Sequence, residues 1–267
     1  ASFPLLVENF EKSKEQFFKT ASTIGHAIIF WSLPCMALFI VLRAHIIRII
    51  YGSSNFSWGD TRTTAALFAL VTISVIFQSL ILLFIRMYYA AGKTKFPLLM
   101  SLLGFIVTIS FSSLGVIYYQ YIPYHEVFTT FALRFSTEAT RPELLFVGMG
   151  YVFGYITTMI GLCIGLKYHF NFNVIREYYV ILLKTLFGSI IIGFVTYGVL
   201  FILSPYFELN SFWNVFFHGS IAGLVGIAIG GVVFYLLKIE TFILVLNSIK
   251  KHSFSKLKVI APNESDL

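Results

Sequence analysis

Residues 64–89 read TAALFALVTISVIFQSLILLFIRMYY, and no charged residue interrupts the chain between Arg62 and Arg86. A helical residue rises about 1.5 Å, so this run is long enough to cross a hydrocarbon core of roughly 30 Å. Its apolar residues are continuous rather than alternating, which selects a helix over a strand of a membrane barrel. Five stretches share this character: residues 24–50 before it, and 96–119, 145–166, 178–203 and 212–237 after it. Together they predict an all-α fold, a polytopic membrane helix bundle of six transmembrane helices.

The composition of the 267-residue chain agrees. Hydrophobic residues make up 58% and charged residues 12%, whereas soluble domains carry roughly 25% charge. Too little charge is present to coat a water-exposed surface. Aromatic residues at 18% exclude an intrinsically disordered chain, because so many rings must be buried. Cys35 and Cys163 each sit inside an apolar run, which suggests neither a disulfide framework nor a metal cluster.

The net charge of +7 raises the question of nucleic acid, but the cations lie between the apolar runs. If both ends of the chain are cytoplasmic, the inner segments hold Lys12, Lys14, Lys19, Arg86, Lys93, Lys95, Lys167, Arg176, Lys184, Lys238, Lys250, Lys251, Lys256 and Lys258. Only Arg43, Arg48, Arg62, Arg134 and Arg141 remain outside. That asymmetry is the orienting signal of membrane proteins, and no nucleic-acid partner is expected. Residues 4–23 mix Val7, Phe10, Phe17 and Phe18 with Lys and Glu, as an amphipathic helix at the cytoplasmic interface would. The tail places Ile239, Phe242, Ile243, Leu246 and Ile249 on one helical face before a polar, disordered end. Ala1 is not a start Met, and the chain is expected to be the C-terminal piece of something longer.

Catalytic chemistry finds little support. His26, His45, His125, His169, His218 and His252 are scattered without metal-ligand spacing, and there is no phosphate-binding loop. No metal, cofactor or enzymatic role is expected. Pro34 falls within the first span, where it kinks the helix for packing or supplies a flexing point. The polar residues at depth are Gln78, Thr108, Ser110, Ser112, Ser113, Thr157, Thr158 and His218, with Lys184 near the start of the fifth span. Such groups face other helices or a wet cavity, although hydroxyls often bond to their own helix. Lys184 can snorkel to the cytoplasmic surface. Gln78, Arg86, Lys184 and His218 are the substrate or cavity candidates. Gly219, Gly223, Gly226 and Gly230 stand in helical register in the sixth span. They let helices approach closely, or they leave a smooth groove for an acyl chain.

Residues 33–97 carry a more specific pattern. It includes Leu33-Pro34, the stretch IIRIIYG ending at Gly52, Phe56, and Asp60-Thr61 ahead of the second span. A junction follows, built from Arg86, Tyr88, Tyr89, Ala90, Thr94 and Pro97. With Phe3-Pro4 and Gly148-Met149-Gly150, this resembles the MurJ/MviN family of lipid II flippases, within the MOP superfamily that includes MATE exporters. The junction has a physical logic: Arg86 and the Tyr pair anchor at the interface, Gly92 lets the chain turn, and Pro97 opens the next helix.

The resemblance implies the last six of fourteen spans. Residues 1–23 would be an interfacial segment, 24–168 the four-helix part of the C-terminal lobe, 176–237 two further helices, and 238–267 a cytoplasmic tail. It implies a bacterial cytoplasmic-membrane protein that moves lipid II by alternating access during cell wall biogenesis. The partners would be an undecaprenyl-type lipid, membrane lipids and the N-terminal half of the same transporter. The last two spans would border a lipid-tail groove, with Gly219, Gly223, Gly226 and Gly230 as candidates. The family's cation-site positions fall on Thr108 and Ser112, hydroxyls where some relatives have Asn and Asp. Two alternatives stay open: a related polysaccharide-lipid or drug exporter, and a membrane glycosyltransferase using Glu126, Glu138 and Glu143.

Overall fold

A computed structural model describes residues 2–52, 57–121, 142–207 and 211–248. Glu126, Glu138, Arg134, Arg141, Phe56 and the end of the tail lie outside the described residues. The described chain is helical throughout: α1 (Ser2–Lys12), α2 (Lys14–Tyr51), α3 (Trp58–Ala90), α4 (Lys95–Ile117), α5 (Leu145–Phe170), α6 (Val174–Leu203) and α7 (Phe212–Leu236). Residues 240–248 are helical as well. Six of these helices, α2 to α7, are long and apolar enough to cross a membrane. The expected polytopic bundle is what the chain forms.

The first span starts earlier than its hydropathy suggests. α2 has 38 residues, about 57 Å of helix at 1.5 Å per residue, nearly twice a hydrocarbon core. Nothing between Lys14 and Ile24 breaks a helix, so the helix extends backwards from the apolar run through Lys19, Glu15 and Lys14. Residues 4–23 are thus divided: α1 takes the first part, the chain breaks at Ser13, and the remainder is the first turns of α2. Leu6 of α1 is fully buried, and Asn9 Nδ2 donates to Thr20 Oγ1 at 2.9 Å, fastening α1 to α2.

Local chemistry sets the other ends. Ser57 and Asp60 form a reciprocal capping box at the start of α3: the Asp60 N–H donates to Ser57 Oγ at 3.1 Å, and the Ser57 N–H donates to Asp60 Oδ2 at 3.1 Å. Gly92 has φ +70° and the Lys93 N–H reaches back to the Tyr88 carbonyl at 2.9 Å. This closes α3 in a left-handed turn that glycine adopts without steric cost. Lys93 Nζ lies 5.0 Å from the Phe170 ring, tying the turn to the end of α5. Asn171, at φ 56°, ends α5 in the same way, and Asn173 Oδ1 accepts from the Arg176 N–H at the start of α6.

The helices pack in the order α4, α5, α3, α2, α6, with α7 seated on both α6 and α2. The pattern is inverted relative to a soluble protein. Thr72, Ser74, Thr158, Thr185, Ser189, Thr196 and His218 are buried, whereas Leu98, Phe194, Phe201 and Leu236 are about 70% exposed. A lipid solvent explains both: apolar side chains are content outside, and small polar ones serve helix contacts inside. The main core joins Phe17, Ile29 and Leu33 of α2 with Leu80, Phe84 and Tyr88 of α3, Leu162 and Leu166 of α5, and Tyr178 of α6. It gathers at the end of the bundle that carries Lys93. Toward the other end, which carries Trp58, α2 has no buried residue between Leu33 and Ile47.

Candidate functional site

That thinly packed half of α2 faces α6 across an apolar groove of about 400 Å³. On α2 it is lined by Leu33, Met36, Ala37, Ile40, Val41 and Arg43, and on α6 by Leu186, Ser189, Ile190, Gly193, Phe194 and Tyr197. The groove exists because of what α6 lacks. A Cβ placed on Gly193 would find only Val41 Cγ2, at 3.7 Å. Arg43 and Tyr197 are the polar residues nearest the Trp58 end. Arg43 Nη1 donates to the Ile40 carbonyl at 2.8 Å. The arrangement suits a long apolar chain with an anionic group at one end, since a guanidinium binds phosphate oxygens with directed, charge-assisted hydrogen bonds.

The glycine stripe of the last span is elsewhere. Gly219, Gly223, Gly226 and Gly230 are all buried. A Cβ on Gly219 would lie 3.2 Å from His45 Cβ, and one on Gly223 would lie 3.2 Å from Leu42 Cδ1; Gly226 and Gly230 abut Thr196 and Ile192 of α6. The four glycines seat α7 against α2 and α6, so the expected lipid-groove wall of α7 is instead a packing face. The groove runs along a neighbouring face of α6, and its glycine is Gly193. The sequence singles out neither Gly193 nor Arg43. A charged residue inside an otherwise apolar run is the signal that marks Arg43.

The cavity candidates do not converge. Gln78 Nε2 donates to Ser74 Oγ at 2.7 Å, and Ser74 Oγ donates to the Val71 carbonyl at 2.6 Å, a chain within α3. Arg86 is half-buried near the end of α3. Lys184 is exposed and, with His26, Glu177, Lys238 and Glu240, lines a mixed-charge cavity of about 180 Å³ at the opposite end of α6. None of the four lines the α2–α6 groove. His218 is buried, and Nδ1 lies 2.8 Å from His45 Nε2. Glu143 sits in the short turn before α5.

Thr108 and Ser112 belong to the α4–α5 seam. Thr108 Oγ1 donates to the Gly104 carbonyl at 3.0 Å and Thr158 Oγ1 to the Gly154 carbonyl at 3.0 Å, each within its own helix. A Cβ on Gly154 would run into Thr108 Oγ1, one on Gly104 into Thr158 Oγ1, and one on Gly150 into Ser112 Oγ. Each helix offers a glycine to the other's hydroxyl residue, so the cation-site positions are occupied by helix packing. Among the described residues no group of three or more His, Cys, Asp or Glu could hold a metal ion.

Six apolar helices long enough to cross a membrane and an inverted burial pattern define a multi-pass helical membrane protein. Within that class, the family described as lipid II flippase MurJ matches residues 1–124, which run from α1 through the end of α4. The match covers a little under half of the chain, and the matched stretch, which includes the residues between Leu33 and Pro97, is similar to this family of transporters. No curated protein and no solved structure matches the chain.

Proposed function

We propose that this chain is the C-terminal part of a flippase that carries lipid II from the cytoplasmic to the outer leaflet of the bacterial cytoplasmic membrane by alternating access. Residues 24–168 supply the four-helix part of one lobe. Residues 176–237 supply two further helices, of which α6 forms the lipid-tail groove with α2, and 1–23 and 238–267 lie at the cytoplasmic face. The positive-inside bias supports that orientation, because Arg86, Lys93, Lys95, Lys167, Lys184 and Lys238 sit toward one end of the bundle. The N-terminal half of the transporter completes the headgroup cavity.

The observation that carries this proposal is the groove between α2 and α6 with Arg43 near its end. Hydrocarbon gains little by leaving bilayer for groove, since lipid tails are as apolar as Leu. The groove therefore acts by shape, holding one chain in register while the polar headgroup crosses in a wet cavity. Without such a cavity, the sugars and peptide would shed their water with nothing to replace it. The test is depletion of the full protein in a host with no redundant flippase. Lipid II should accumulate in the inner leaflet. Unchanged outer-leaflet exposure, or accumulation of a different lipid-linked saccharide, would reject this assignment.

A further inference from the structure

His45 and His218 are 173 positions apart, yet their rings meet at the junction of α2, α6 and α7. His218 Nε2 lies 3.1 Å from the Leu200 carbonyl oxygen of α6. A carbonyl only accepts, so Nε2 must carry hydrogen. In a neutral imidazole the second nitrogen is then an acceptor, and His218 Nδ1 accepts from His45 Nε2–H at 2.8 Å. Two carriers of one titratable proton each are thereby locked in a single hydrogen-bonding sense. The Phe207 ring covers His218, with centroids 5.4 Å apart, and Gly219 leaves room for the His45 side chain.

We propose that this pair is a proton-binding site that takes one proton and clasps the three helices. The proton adds at His45 Nδ1 and no bond is broken. His45 becomes an imidazolium, its Nε2–H still donates to His218 Nδ1, and the contact becomes charge-assisted and stronger. A second proton has only His218 Nδ1 to occupy, where it faces the His45 Nε2–H, and it drives the rings apart. Beside His45 a cavity of about 40 Å³, bordered by Ala44, Arg48, Trp58 and Val215, has room for a water that can deliver the proton. Among the described residues, the titratable and charged groups at this end of the packed elements are Arg43, Arg48 and Tyr51 on α2, Asp60 and Arg62 on α3, Tyr197 on α6 and Tyr206 after it. α7 has no other within two turns. Because α2 and α6 are also the walls of the groove, proton occupancy is coupled to its shape.

The test is ¹⁵N-histidine NMR of the full chain in nanodiscs between pH 8 and 5, the range in which histidine titrates. The expected result is that His45 takes up a proton while His218 stays neutral with its hydrogen on Nε2. H218L removes the acceptor and should lower the His45 proton affinity at least tenfold. H218N, whose amide oxygen stands near the Nδ1 position, should restore it. If H218L does not fold, the wild-type titration decides by itself. Both rings charging, neither charging, or a His45 titration unmoved by H218L overturns the proposal. The readout is independent of lipid transport, so failure here leaves the groove assignment standing, and the reverse holds.

Discussion

The α4–α5 seam and the α2–α6 seam are both contacts between long apolar helices, yet one is closed and the other holds about 400 Å³ of space. In the closed seam the glycines are reciprocal. Gly104 receives Thr158, Gly154 receives Thr108, and Gly150 receives Ser112. In the open seam the glycine has no counterpart: Gly193 faces only Val41, at van der Waals distance. The lesson is that glycine in a membrane helix is a socket. It closes an interface when the partner supplies a knob at the same level, and it leaves a groove when the partner does not.

Three substitutions sharpen this contrast, in order of expected loss of stability. Gly154→Leu drives a side chain into Thr108 and the α4 backbone. Overpacking of this kind costs about 1–3 kcal/mol, and unfolding in a mixed detergent titration should show it. A fully stable variant would mean that the seam is loose. Thr108→Val keeps the knob and removes the hydroxyl. The loss should be about 0.6 kcal/mol, the average for polar groups between membrane helices, and transport should respond to sodium as the wild type does. A sodium dependence abolished by Thr108→Val would restore the cation-site assignment. Gly193→Leu fills the groove. Its stability should stay within about 0.5 kcal/mol of wild type, as for a substitution that meets no packed neighbour, while transport of lipid II is lost. Normal transport would show that the groove is not used.

The smallest effect is at α1, far from both seams. The Glu8 carboxyl is held below its usual range by a hydrogen bond from Lys12 at 2.6 Å and by that residue's charge. A lowered folded-state pKa stabilises above the ordinary carboxylate range, and the contribution is lost as pH falls through the lowered value. The pair is mostly exposed, at 61% and 58%, so Glu8→Gln should leave the melting temperature unchanged at neutral pH. A measurable drop there would indicate that α1 is docked more tightly than its burial suggests.

What was legible in the sequence follows from the range of each signal. Hydropathy is local, so all six spans were readable, and so was the turn at Gly92. The start of α2 was displaced by ten residues, because hydropathy marks the bilayer and not the helix, and Lys14 to Thr23 are helical without being apolar. The glycine stripe of α7 was visible, but its partner was not: the same small residues serve a packed face and an open one. The groove depends on the register of α2 against α6, which no stretch of either helix reveals alone. For the same reason His45 and His218 look like unrelated histidines until the fold brings them together.

The central claim is that the α2–α6 groove holds the lipid chain. It is tested most directly by photo-cross-linking the full protein in bilayers with a photoreactive polyprenyl pyrophosphate, with and without excess unlabelled lipid II. Adducts that the competitor displaces should map to residues 33–43 and 186–197, and not to the facing surfaces of α4 and α5. Displaceable labelling confined to the α4–α5 seam, or no displaceable labelling at all, would contradict the account.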